Sequence, residues 1–231
     1  TIVFDYDLND KITKDQTKYG TDAKLMNKDG NPYLVTLTSK LLQLVLTKLA
    51  NFVPGGGIWL NTQRPEWNDA NNALAGYGLS MVTTSYLRRM LNFLKEIYSS
   101  TENDSFDIPK TEKEFFNNIK SIYAKTKPED TQTEKGRAEF TRACGTAFEK
   151  ERKAFYKDYA LLKKTTSLKK DELLSAIDIF MEHLEYSIKL NKKENGLYHS
   201  YNTLAISKDG MKVEYLQEML EGQVAVLSSR M

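Results

Sequence analysis

From Arg64 to Gly78 the chain reads RPEWNDANNALAGYG, which crowds two carboxylates, an indole and three side-chain amides into the nine residues 64–72. In an extended stretch, residues two apart share a face, so Trp67 and Asp69 point together while Asn68 points away. An indole beside a carboxyl group suits a sugar. The ring packs on the C–H face of a pyranose, and the carboxyl group hydrogen-bonds hydroxyls or protonates a glycosidic oxygen. Burial against the indole raises a carboxyl pKa, as an acid working near neutrality requires. Gln63, Arg64, Glu66 and Asn68 supply polar contacts, with Asn61, Asn71 and Asn72 nearby. A structural reading stands beside this one: Asp69 as an N-cap, Trp67 as a loop anchor and Glu66 paired with Arg64. Gly76-Tyr77-Gly78 reads as a tight turn, since no strand precedes it in a nucleotide-binding pattern.

A second group of chemical residues lies in the last third. His199 sits between Tyr198 and Tyr201, and Glu218 and Glu221 are spaced to share a helix face. Taken singly, each glutamate also reads as a solvated helix residue and His199 as a structural histidine. Cys144, the one cysteine, lies among small residues and reads as core. With only His183 and His199 besides, no metal site and no cofactor are expected.

Periodicity places these residues on helices and loops. Leu41, Leu44, Val45, Leu49 and Phe52 repeat at helical spacing after Thr38 or Ser39, and Pro54 with Gly55-Gly56-Gly57 stops that helix. Met81, Tyr86, Leu87, Met90, Leu91, Leu94 and Ile97 mark a second helix over 79–99. Thr111 with Glu114 forms a capping box opening a third. Charged helical patterns over 135–162 and from Ser167 or Asp171 onward follow, and a last helix spans 216–229. Residues 1–37 read as an irregular, extended lead-in. Asp209-Gly210 reads as a hairpin turn.

The expected fold class is therefore all-α: an incomplete (α/α)6 toroid-like arrangement of about six helices with small β-hairpin insertions, in one domain over 1–231. Hydrophobic residues make up 40% of 231, enough for a real core. The net charge of +2 and the acidic neighbours of the lysine-rich 150–170 region read as a solvated face, so no nucleic-acid partner is expected. No apolar run is long enough to span a bilayer. The chain starts at Thr1 and ends on an apolar run, which reads as a piece of a longer protein, so its partners include the remainder of that chain. The compartment stays open between cytoplasm and periplasm.

The run RPEWNDANNALAGYGLSMVTTSYLRRML, with GLYHSYNTL and YLQEMLEGQVAVLSS, resembles bacterial proteins of the six-hairpin glycosidase class, nearest its cellobiose-phosphorylase-like members. The resemblance implies a carbohydrate substrate and glycosidic-bond cleavage with inversion, by hydrolysis or phosphorolysis. It makes Asp69 the general acid and Trp67 the sugar contact. Glu66 stands where that branch often has aspartate, and Ala70 stands where a glycine follows the acid. In the hydrolase branch a second carboxylate activates water, roughly 6.5–9.5 Å from the acid. Glu221 and Glu218 are its candidates, Glu221 preferred for its place beside Gly222. The alternative is a non-catalytic helical domain that binds carbohydrate or protein.

Overall fold

A computed structural model describes residues 5–20, 31–61 and 73–231, without the side chains of Tyr19 and Tyr159. Gln63, Arg64, Glu66, Trp67, Asn68 and Asp69 lie outside the described residues.

The first element is a helix, α1 (Tyr6–Tyr19), where an extended lead-in was expected. The alternation in TIVFDYDL is shorter than the capped segment that follows it. Asp5 accepts a hydrogen bond from Leu8 N (2.9 Å), and Gly20 closes the helix in the left-handed region at φ 61°. Helix α2 (Leu37–Ala50) starts earlier than its periodicity suggested, because Thr36 is the cap and accepts from Ser39 N. Leu42, Val45, Leu46 and Leu49 are buried at helical spacing.

Past α2 the all-α expectation fails. Phe52–Val53 (β1) and Gly57–Trp59 (β2) form a tight hairpin, and Gly78–Ser80 (β3) pairs with β2. Tyr201–Ile206 (β6) pairs with β3, and Met211–Tyr215 (β7) with β6 across the expected Asp209-Gly210 turn. Together they make a five-stranded antiparallel sheet, order β1-β2-β3-β6-β7. Ser105–Pro109 (β4) and Thr165–Lys169 (β5) pair in a separate two-stranded ribbon. Seven α-helices accompany these two sheets among the described residues, so the protein is a mixed helix-and-sheet structure and not an incomplete (α/α)6 toroid. Strands β1, β2 and β3 escaped pattern reading because each is two or three residues long, whereas the β6–β7 hairpin falls at the expected turn. Alternation needs a longer window to register.

The remaining helices are α3 (Met81–Ser100), α4 (Lys110–Lys125), α5 (Glu134–Lys157), α6 (Lys170–Leu190) and α7 (Leu220–Ser229). Helix α4 begins before the expected Thr111–Glu114 box, straight from β4 at Pro109, with no side-chain cap. Helix α6 leaves β5 the same way. Gly136 in α5 is required there: a Cβ would overlap the Asp130 carbonyl.

The main core joins α2 to α6 around aromatic rings. Tyr123 stands edge-on to Phe140 (4.9 Å) and Phe180 (5.1 Å), and its hydroxyl donates to Leu49 O (2.8 Å). Cys144 is wholly buried in this core, as expected. No helix of the described residues is long and apolar enough to cross a membrane.

Candidate functional site

The Arg64–Tyr77 run falls in the connection between adjacent strands β2 and β3. Its base is firmly closed. Leu60 N donates to Gly78 O (2.8 Å) and Gly76 N to Leu60 O (2.5 Å). The Trp59 indole donates to Gly76 O (3.1 Å), and Asn61 Nδ2 donates to Asn51 Oδ1 (2.5 Å). Gly76 takes φ 94°, which favours glycine, so the expected Gly76–Gly78 turn is real. It feeds strand β3 first, and the helix α3 starts only after Ser80, whose hydroxyl accepts from Thr83 N (3.0 Å).

The two C-terminal sequence blocks are brought together. Strand β6 and the residues before it, Tyr198–Tyr201, cradle Met219–Gln223 at the start of α7. Tyr198 N donates to Gln223 Oε1 (2.9 Å), and Gln223 Nε2 returns a bond to Tyr198 O (2.8 Å). Ser200 Oγ accepts from Met219 N (3.2 Å) and Gly222 N (3.0 Å) and donates to Met219 O (3.0 Å). Helix α7 has no side-chain cap of its own, and Ser200, just before β6, fills that role from a distant part of the chain. The approach is so close that a Cβ on Gly222 would overlap Ser200. The buried Tyr201 ring sends its hydroxyl to Glu221 Oε2 (2.6 Å).

Glu218 and Glu221 do not share a helix face. Glu218 precedes the helix and forms a β-bridge with His199, while Glu221 lies in the first turn. Their fates differ. Glu218 Oε1 is ion-paired with Lys193 and accepts from Asn195 (3.3 Å), and these donors, Lys193 foremost, hold its pKa down to about 2. Glu221 is held by the tyrosine hydroxyl. His199 lies against the Leu216 carbonyl through Nδ1 (2.5 Å), which makes Nδ1 the protonated nitrogen, and its ring stacks on Tyr215 at 4.8 Å.

Register fixes how this cradle relates to the β2–β3 connection. Gly78 pairs with Thr203 and Ser80 with Tyr201, so the connection re-enters the sheet at one end of β3 and the cradle sits at the other. The separation along β3 is roughly 7 Å, two residue steps.

Behind both lies a buried polar frame. Asn191 Nδ2 donates to Gly55 O (2.9 Å), and Asn202 Nδ2 donates to Gly56 O and to Asn191 Oδ1 (each 2.8 Å). Gly55 N donates to Ser187 Oγ (2.9 Å). Arg137, nearly buried, clamps three carbonyls: Pro54 (2.7 Å), Met211 (2.8 Å) and Gln132 (3.1 Å). Desolvation pulls its pKa below the usual guanidinium value.

Sequence reasoning singled out Glu221 and His199 but missed Tyr201, Ser200, Gln223 and Arg137. The signal for the first three was the adjacency of Glu221 to a glycine, which marks close backbone approach. Among the described residues, no group of three or more His, Cys, Asp or Glu side chains can hold a metal ion. The chain matches no protein-family model and no curated protein.

Proposed function

We propose that this chain is a carbohydrate-active segment that cleaves a glycosidic bond with inversion, with Asp69 as general acid and Glu221 as the base that activates water. The observation that carries the reading is the cradle around Glu221. Ser200 fixes the backbone on either side of it, and the Tyr201 hydroxyl orients Oε2. A base must hold its geometry to act on a water, and positioning of this kind supports that role. Glu218, engaged by Lys193 and Asn195, serves the surface between Lys193 and His199 instead.

The resemblance of the Arg64–Leu91 run to the six-hairpin glycosidases supports the acid. On that basis Trp67 stacks on the sugar at the cleavage point, and Glu66, Asn68, Gln63 and Arg64 bind its hydroxyls. The closed base of the β2–β3 connection supports a binding role for the run, because a functional loop gains precision from a rigid foundation. His199, stacked on Tyr215, offers a further sugar contact. Use of a second carboxylate favours water over phosphate as acceptor, so the reaction is hydrolysis.

The test uses the protein that carries this chain and a panel of glucans and oligosaccharides. Glu221→Gln is expected to lower kcat by about 10²–10⁴-fold, and Asp69→Asn to do likewise, with Glu218→Gln near the parent. Proton NMR of the first-formed sugar is expected to show the inverted anomer. Full activity in Glu221→Gln sinks the assignment of the base. Sugar binding that depends on Trp67, with no turnover, makes the chain a carbohydrate-binding domain.

A further inference from the structure

Helix α2 is apolar on more than its inner face. Leu42, Val45, Leu46 and Leu49 are buried, yet Leu37 and Leu44 on the outward side are 71% and 65% exposed. Leu34, just before the helix, is 85% exposed. A surface helix ordinarily turns charged and polar residues outward. Here the outward line reads Leu37, Lys40, Leu44, Lys48, and residues 31–50 hold no acid. Cations gather beside this line from two other parts of the chain. Lys163 Nζ lies 5.7 Å from the centre of the Tyr33 ring. Lys110 N donates to Lys164 O (2.8 Å), and Thr36, the cap of α2, donates through Oγ1 to Asp107 O (2.8 Å). The start of α2 is thus tied to the start of α4 and to the turn before β5.

We propose that this face docks on an anionic bilayer surface, with Leu34, Leu37 and Leu44 entering the interface and Lys40, Lys48, Lys110, Lys163 and Lys164 on the lipid headgroups. Two observations choose this occupant. The leucines project: a groove shaped for a partner would shield them, and exposures of 65–85% belong to side chains standing clear of their neighbours. The charge is of one sign and interleaved with them. All five lysines are exposed, none forms an ion pair among the described residues, and the acid set against them is the exposed Asp107. A bilayer offers apolar depth and anionic heads together, whereas a protein partner would have to bring both a groove and a matching set of acids.

The residue types suit the boundary. A lysine stem lies along apolar surface while its ammonium reaches outward to a headgroup. Tyr33, half-buried beneath Lys163, has the amphipathic ring that favours the interface. The contact is peripheral, since α2 lies along the surface and no helix of the described residues is long and apolar enough to cross it. Each leucine that leaves water strengthens partition about tenfold, and each lysine near an anionic surface about fivefold. Binding is therefore reversible and falls as salt screens the lysines.

The proposal stands apart from the glycosidase reading and is tested without a sugar. The protein that carries this chain is sedimented with large unilamellar vesicles of phosphatidylcholine, with and without phosphatidylglycerol. Binding is expected on the anionic vesicles, weakened by added salt, and slight on phosphatidylcholine alone. Leu37→Gln combined with Leu44→Gln is expected to lower the partition coefficient at least about tenfold, and Lys163→Glu combined with Lys164→Glu to do the same, each with unchanged circular dichroism. No binding of the parent to anionic vesicles overturns the proposal, including the case in which a second copy or another segment of the protein covers the leucines. So does binding that the leucine pair leaves unaltered, which is adsorption by charge alone, and so does equal binding to the two kinds of vesicle.

Discussion

Replacing Glu112 with glutamine should flatten the protein's stability across neutral pH. Glu112 lies in the first turn of α4 and is 3% exposed. Ser39 Oγ, from the first turn of α2, donates a short hydrogen bond to Oε2, and the buried Oε1 has no hydrogen-bond partner. Burial is the largest influence and raises the carboxyl pKa from 4.5 to about 8; the Ser39 bond pulls against it and the charge of Glu151 adds to it. The folded state therefore holds this proton more tightly than the unfolded state does. Stability from this group is complete below the unfolded pKa of 4.5 and is lost as pH rises through about 8. The slope between them is about 1.4 kcal/mol per pH unit, and the loss approaches 5 kcal/mol when complete. Because a domain's whole stability is about 5–15 kcal/mol, such a change is large.

Urea unfolding of the parent and Glu112→Gln, repeated between about pH 5 and pH 9, measures the effect. The parent should lose stability steadily through this range. The variant should keep only the slope due to other groups, chiefly Glu151, whose pKa burial raises to about 7. At the low end the variant should be the less stable, because its buried amide places N–H donors where Oε1 now lacks a partner. Parallel pH profiles for the two proteins would refute the reasoning, since they would mean that Glu112 reaches water or a cation in solution.

Two further substitutions probe the frame behind the site. Arg137→Met should cost about 3–5 kcal/mol in urea unfolding, because it strips the carbonyls of Pro54, Met211 and Gln132 of a charged donor; a loss under 1 kcal/mol would show that water replaces the guanidinium. Cys144 is wholly buried, and burial pushes its thiol well above the ordinary cysteine range. A thiol reagent should therefore label the native protein only as fast as it unfolds, and labelling at the rate of an exposed cysteine would contradict the packing.

What could be read from the sequence follows from how far each signal reaches along the chain. Helices α2, α3 and α6 carry their apolar faces in their own residues, so Leu42 and Val45, Leu87 and Leu91, or Phe180 and Leu184 announce them locally. Within the five-stranded sheet, only the β6–β7 hairpin at Asp209-Gly210 has a comparable local source. Strand β3 is three residues long and exists because Trp59 on one side and Asn202 on the other supply its partners, from 20 and 123 residues away in Leu79's case. The same distinction explains Glu218 and Glu221. Their i,i+3 spacing promised one helix face, on the premise that the helix already included Glu218. Its start is set instead by Ser200, whose hydroxyl takes Met219 N and Gly222 N and so ends the extended segment at Met219. A cap that arrives from a distant part of the chain leaves no trace in the residues it caps. It leaves one only in Gly222, which must lack a side chain for Ser200 to come close. Glu221 therefore sits on backbone that Ser200 fixes, and that close approach is possible only because its neighbour is a glycine.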